Sequence, residues 1–348
     1  MNRDWIDRLT ALGRDIRGAI KRQREAGSTA DGLPESNLAR PVGFEGGDTI
    51  FEIDKRVEPY VLEHAERWVD EVGPIRVVAE GLGHDGMQTF GAGDPAWHVL
   101  IDPIDGTRNI MYDKRSAWFL GAVAPAGDGP PSLREAIASV LIELPTSKAG
   151  FADEISADVD GPTVCRRVAL DGSGEHGISV RPSGADSLRH GWGQVTNFFP
   201  GTKVLASELM EWIAEETLGT VRAGEALVFD DQYLTTGGQL VELMCGRDRF
   251  CCDLRPLFFE IIRRQGRDVA EGLACHPYDM AGLLAAQRAG VIVTDGFGHP
   301  LDAPFSVTHG VHWCGYANGS LRDAIEPIIR GWLREKGLDV PLDPELKG

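Results

Sequence analysis

Trp5, Leu9, Leu12, Ile16 and Ile20 recur every three or four residues with charged positions between them, which predicts an amphipathic opening helix. A polar, glycine- and proline-bearing stretch from Gly27 to Gly47 separates it from a second predicted helix, which starts in Ile53-Asp54-Lys55-Arg56-Val57-Glu58. The apolar side of that helix is Val57, Val61, Ala65, Trp68 and Val69, and Pro59 is tolerable in its first turns. From Ile75 the pattern shortens to β-type runs: IRVVAE, WHVLID, AWFLGAVA, AIASVLIEL, TVCRRVAL and GISV, divided by Gly, Pro and Asp turns. Helical periodicity returns over Ala206 to Leu218, Tyr233 to Cys245 and Tyr278 to Ala289. A strand VIVTDG, a turn GFGHPL, a strand HWCGYAN and a helix LRDAIEPIIRGWL follow. Helix, then sheet, then helix–strand–helix predicts stacked layers of mixed α and β. The expected halves are 1–145 and 146–348, with the site between them.

Composition adds limits to that picture. The chain has 348 residues, 42% hydrophobic and 25% charged, with 43 glycines, which is ordinary for a globular protein with many tight turns. Its formal charge of -18 disfavours nucleic acid as a partner, since an acidic surface releases no counterions from a polyphosphate. A phosphate-bearing substrate would need local neutralisation, and metal ions are the obvious means. The opening MNRDWIDRLTALGRDIRGAIKRQ has no apolar run of the length of a signal peptide or a membrane span, so the expectation is a cytoplasmic protein that does not engage membranes. Six cysteines without CxxC spacing read as buried reduced thiols, although Cys251-Cys252 with Cys275-His276 is a conceivable metal cluster.

Gly81-Leu82-Gly83-His84-Asp85-Gly86 matches a dinucleotide-binding GxGxxG directly after a strand. The following MQTFGAGDPAW lacks a helical stripe and leaves no room for a crossover, so a glycine-rich hairpin or loop is expected instead. A different stretch carries more chemistry. Asp102 and Asp105 flank Pro103 and Ile104 at the end of an apolar run, and magnesium takes hard oxygen ligands of this kind. The Ile104 carbonyl lies between the acids, Glu80 ends the preceding strand, and Gly106-Thr107 offer backbone N–H groups and a hydroxyl. Taken alone, DPIDG reads equally well as a turn and Asp279 as an ordinary helix N-cap. The two together, in matching contexts, favour a site.

Here the chain resembles the inositol monophosphatase family of metal-dependent, lithium-sensitive sugar-phosphate phosphatases. Asp102-Pro103-Ile104-Asp105-Gly106-Thr107-Arg108-Asn109 matches the family's D-P-[IL]-D-G-[ST]-x-N. Tyr278-Asp279-Met280-Ala281-Gly282 through Ala289-Gly290 to Thr294-Asp295-Gly296-Phe297-Gly298 is similar to its later W-D-x-A-A-G…G-G run. Ile53-Asp54-Lys55-Arg56-Val57-Glu58 resembles its early T-D-x-x-V-E. The resemblance implies an α+β, layered α/β/α/β sandwich of the inositol monophosphatase / fructose-1,6-bisphosphatase type. It also implies a magnesium-dependent phosphomonoesterase of a small polyol or sugar phosphate, and a homodimer.

Carried over residue by residue, the resemblance makes Glu80, Asp102, Ile104 (through its carbonyl), Asp105 and Asp279 ligands of two or three Mg2+ ions. Glu80 and Thr107 would orient an attacking water, and Asp54 would fix Thr107. Gly106, Thr107 and Asp105 would meet the substrate, with Asp253, Gly237 and Gly238 touching its sugar part. Asp253 reads as well as a surface acid, and the glycines as the turn into a helix. Arg108 could face an anionic substrate, whereas Lys114 and Arg115 more simply balance an acidic surface.

The chain departs from the family pattern in three places. Gly81 stands where a second acid is common, Tyr278 replaces Trp, and Arg288-Ala289-Gly290-Val291 replaces Glu-Ala-Gly-Gly. Segments 147–181 and 254–271 look long and could border the pocket. The alternatives within the fold are a 3'(2'),5'-bisphosphate nucleotidase or a fructose-1,6-bisphosphatase. From another class, the alternative is a non-catalytic phosphate-binding relative, which would be expected to have lost part of the metal set.

Overall fold

The opening helix α1 spans Asn2–Gly27, and the side chains of its predicted stripe, Trp5, Leu9, Leu12, Ile16 and Ile20, are buried. The computed structural model describes residues 2–27, 41–45, 48–83, 85–270 and 273–338. Most of the polar stretch between Gly27 and Gly47, His84 of the glycine-rich run and Glu271 at the end of the second long segment lie outside the described residues. A two-stranded hairpin, β1 (Pro41–Glu45) with β2 (Asp48–Phe51), leads into α2 (Glu52–Val72). The start of α2 is fixed by the Phe51 N–H, which donates to the Asp54 carboxylate at 2.8 Å. Pro59 lies two turns inside α2, and the helix runs through it.

Eight strands form the larger sheet: β3 (Ile75–Ala79), β4 (Met87–Phe90), β5 (Trp97–Asp105), β6 (Ala117–Pro125), β7 (Ala138–Leu144), β8 (Phe151–Asp158), β9 (Val164–Ala169) and β10 (Glu175–Ile178). Their order is β10-β9-β8-β7-β6-β5-β3-β4, antiparallel except where β3 and β5 run parallel. The smaller sheet contains β11 (Gly191–Val195), β12 (Val228–Phe229), β13 (Asp248–Asp253), β14 (Ile292–Thr294) and β15 (Trp313–Tyr316), ordered β12-β11-β13-β15-β14.

The strand period of two sorts the core. Val99 and Ile101 of β5 and Phe119 and Val123 of β6 pack with α1 and α2, whereas Leu100, Leu120 and Ala122 face the opposite side. On that side α5 (Thr236–Met244) and α7 (Leu283–Ala289) lie between the sheets, where Leu240, Leu243, Leu283 and Ala286 join the same apolar cluster. Beyond the smaller sheet, α4 (Lys203–Leu218), α6 (Arg255–Arg264) and α8 (Gly319–Glu335) cover Phe250, Cys252, Cys314 and Tyr316. The result is the expected α+β sandwich with a fifth, helical layer beyond the expected α/β/α/β order.

Several elements were not expected. β8 carries Asp153 and Glu154 at buried positions, so its apolar alternation is broken. β11 and β13 hold glycines or charged ends, and α6 begins Arg-Pro. With the expected strands in TVCRRVAL and GISV, β8 carries the larger sheet past Pro145. The glycine-rich run after β3 leads into β4, which pairs antiparallel with β3, so no helix follows and the hairpin reading holds. The six cysteines are free thiols, and among the described residues Cys251, Cys252, Cys275 and His276 form no metal-binding group. No described helix is long and apolar enough to cross a membrane.

Candidate active site

The crowded acids do not end their strand, as the sequence led us to expect. β5 runs on through Pro103 to Asp105. Asp102 is opposite Leu120 of β6 and Asp105 is opposite Trp118, so three steps along β5 match two along β6. The extra residue is a β-bulge, which also accommodates a proline with no N–H to give to the ladder. Its effect is decisive for the side chains. Residues three apart in a regular strand point to opposite faces, but one inserted residue turns Asp102 and Asp105 to the same face. The Ile104 N–H donates to Asp102 at 2.9 Å and closes the bulge.

Asp279 reaches the same place from a short 3-10 turn, Tyr278–Met280, ahead of α7. Carboxylate oxygens of Asp102, Asp105 and Asp279 all lie within 4.8 Å of one another. Asp102 and Asp105 are buried. Burial, then the charges of Asp105, Asp279 and Glu80, pushes the Asp102 carboxyl well above its ordinary range. Burial, then Asp105 and Glu80, does the same to Asp279, although the His276 N–H at 2.6 Å pulls the other way. Asp105 is pushed up by burial to about 6, against hydrogen bonds from Thr235, Gly237 and Thr236. Three acids so placed resist ionisation unless a cation joins them, and oxygen-only donors suit a hard divalent ion. Glu80 is outside this trio but lines the same cavity, as do Ile104, Gly106 and Thr107.

Gly106 opens the short helix α3 (Thr107–Met111) at φ +92°, a left-handed backbone that favours glycine. The Thr107 hydroxyl lies 3.0 Å from Asp54 and 2.9 Å from the Ile104 carbonyl, and its single proton serves these two acceptors. Asp54 therefore holds Thr107, while itself lining an adjoining recess with Glu80 and Pro103. Asn109 donates to the Leu234 carbonyl at 2.8 Å and so ties this turn to the chain before α5.

The start of α5 faces Asp105. Thr235 donates to its carboxylate at 2.6 Å and Thr236 N–H at 3.2 Å, with Gly237 N–H also donating. A Cβ on Gly237 would lie 2.9 Å from the Asp105 oxygen, so glycine permits that approach. The cavity wall here is Leu234, Thr235 and Thr236, and neither Gly237 nor Gly238 is part of it. Asp253 is fully buried and is not on the wall either. Its partner Arg255 is on the wall, with Phe198, Phe199, Leu273 and Tyr278, around a space of about 80 Å³.

Sequence reasoning did not single out Arg255, Phe198 or Phe199. The one available signal was an arginine two residues beyond an acid at a strand end. Arg108 lines the cavity, whereas Arg115 pairs with Asp231 at 2.6 Å. Of the two long segments, 147–181 contributes no residue to the wall, and Arg255 is the contribution of 254–271 among the described residues.

No family model and no curated protein matches the chain. Solved structures do. The IMPase of Thermotoga maritima is 17% identical, with 96% of this chain and 100% of that one covered at a TM-score of 0.57. For the inositol monophosphatase of Anabaena (Nostoc) the values are 16%, 94%, 96% and 0.53. The chain has the inositol monophosphatase fold. Fructose-1,6-bisphosphatase of Leishmania major shares it, at 11% identity, 94% and 92% coverage and a TM-score of 0.62. In each case the likeness covers more than nine-tenths of this chain.

Proposed function

We propose that the protein is a magnesium-dependent phosphomonoesterase acting on a small polyol or sugar phosphate. The observation that carries this reading is the meeting, within 4.8 Å, of Asp102, Asp105 and Asp279 in a cavity that Thr107 and Glu80 also line. Those acids, with Glu80 and the Ile104 carbonyl, would hold the magnesium ions. Bound there, magnesium would supply positive charge for the phosphoryl and leaving-group oxygens and would acidify a neighbouring water.

The chain's own groups do the positioning. Thr107 donates its one hydroxyl hydrogen bond to Asp54 or to the Ile104 carbonyl, and either choice leaves the hydroxyl oxygen as an acceptor that aims a water at phosphorus. Asp54 is anchored from behind by the Phe51 N–H. Glu80 takes the other proton of that water. The Gly106 and Thr107 N–H groups would hold phosphate oxygens, and Asp105 is oriented towards the cavity's acid cluster by Thr235 and the start of α5. The intact acid set favours catalysis over a non-catalytic binding role.

A panel of phosphomonoesters, including inositol phosphates, fructose bisphosphate and adenosine 3',5'-bisphosphate, tests the reading when assayed with and without magnesium. Turnover that requires the metal is expected. Turnover that persists in a chelator would sink the mechanism.

A further inference from the structure

Arg255 sits on the cavity wall and is nevertheless 4% exposed. It occupies the first position of α6, immediately after β13. Its Nε donates to Asp253 at 2.9 and 3.0 Å, one Nη2 hydrogen reaches Asp253 at 2.5 Å, and one Nη1 hydrogen reaches the Leu273 carbonyl at 2.9 Å. A guanidinium has five N–H groups, so one on each Nη remains for a ligand. The rings of Phe198 and Phe199 lie 5.2 and 5.7 Å from its central carbon, and Arg108 approaches the same Phe199 ring at 5.7 Å.

This arrangement inverts the character expected of the pocket. Asp253 as a sugar-contacting acid would accept hydroxyl protons, but both its oxygens are taken by Arg255 and it is absent from the wall. The cavity instead meets a group that only donates, carries a permanent charge and is held rigid from behind. A guanidinium fork packed against aromatic rings is the arrangement that recognises planar or tetrahedral oxyanions. Asp253 is off the wall and bonds the guanidinium through Nε and Nη2, so it sets the plane of the group that lines the cavity.

We propose that the substrate carries a second anionic group, a carboxylate or a further phosphate, and that Arg255 is the residue that selects it. This rests on the phosphate-ester reading above, with the first phosphate at the acid cluster.

Inert phosphonates test it with the intact protein and magnesium. Calorimetry would compare plain alkyl phosphonates with ω-carboxyalkyl phosphonates and alkane bisphosphonates of matched length. The compounds with a second anionic group should bind about tenfold tighter or better, and whichever arm binds tighter identifies the second anion. Arg255→Met should collapse that ratio to about threefold or less. Because it leaves Asp253 buried without a partner, the double variant Asp253→Asn/Arg255→Gln, which keeps a neutral pair, serves if the single one does not fold. Equal affinities in the wild type, or a ratio preserved in the double variant, would overturn the proposal. Turnover of a phosphomonoester with equal phosphonate affinities refutes only the second anion, and a clear preference without any turnover refutes only the hydrolase. Failure of every phosphonate to bind would remove both.

Discussion

Two groups of buried acids stand on the same sheet and have opposite surroundings. At β8, Glu154 is 4% exposed and accepts from Arg14 at 2.9 and 2.6 Å and from Arg17 at 2.8 Å, while its neighbour Asp153 accepts two bonds from Arg167 at 2.7 Å. Burial pushes the Glu154 carboxyl up, but the hydrogen bonds and charges of Arg14 and Arg17 outweigh it and carry the group below its ordinary range. At the β5 bulge, Asp102, Asp105 and Asp279 crowd together and are pushed upward. Burial is common to both, so the arginines hydrogen-bonded to Glu154 make the difference, since Arg255 acts on Asp105 and Asp279 through its charge alone. The first group is satisfied within the protein, Glu154 joining α1 to the sheet and Asp153 joining β8 to β9. The second has no such arginine partner within hydrogen-bond reach among the described residues, which is the arrangement that a bound cation would complete.

The strongest way to break the comparison is to remove one acid from each cluster. Asp102→Asn should lower magnesium-dependent turnover by at least about a thousandfold, equivalent to ~4 kcal/mol of transition-state stabilisation, in a protein that still folds. Steady-state kinetics beside circular dichroism would check this. Glu154→Gln should do the reverse, costing about 2 kcal/mol of stability in denaturant melts while the folded enzyme keeps its rate.

The two clusters should also respond to pH with opposite signs. Acids whose folded pKa is raised bind more protons folded than unfolded, so without metal their contribution falls as pH rises, through about 6 for Asp105. Glu154, lowered in the folded state, contributes above the unfolded carboxylate value and loses its contribution as pH falls through its folded one. Magnesium must displace the protons held by the first set, so the rise in melting temperature that it causes should be larger at pH 8 than at pH 5. An equal rise at both values would contradict the assignment. The smallest effect is expected at Asp248, where burial and then the charges of Glu242 and Asp231 push the carboxyl up to about 7. Asp248→Asn should raise the melting temperature by a few degrees at pH 8 and by roughly a third as much at pH 5.

Much of this was legible in the sequence because it rests on local pattern. The stripes of α1 and α2, the apolar runs of β5 to β7 and the D-P-I-D-G-T stretch each carry their own signal. What could not be read depends on partners far along the chain. The alternation of β8 is interrupted by Asp153 and Glu154, which are tolerated inside only because Arg14 and Arg17 arrive from α1 and Arg167 from β9. Pro103 and two acids suggested a turn, and only the register against β6 reveals a bulge that turns both acids to one face. Arg255 opens a helix that the sequence did not announce, and its place on the cavity wall depends on Asp253 and Leu273, which hold it there.

Titration of magnesium into the metal-free protein, followed by calorimetry at neutral pH, bears most directly on the claim that the bulge cluster is a cation site. Wild type and Glu154→Gln should bind the ion saturably and with similar affinity, and Asp279→Asn should lose most of that binding. Equal binding by wild type and Asp279→Asn, or no binding by wild type at millimolar magnesium, would contradict it.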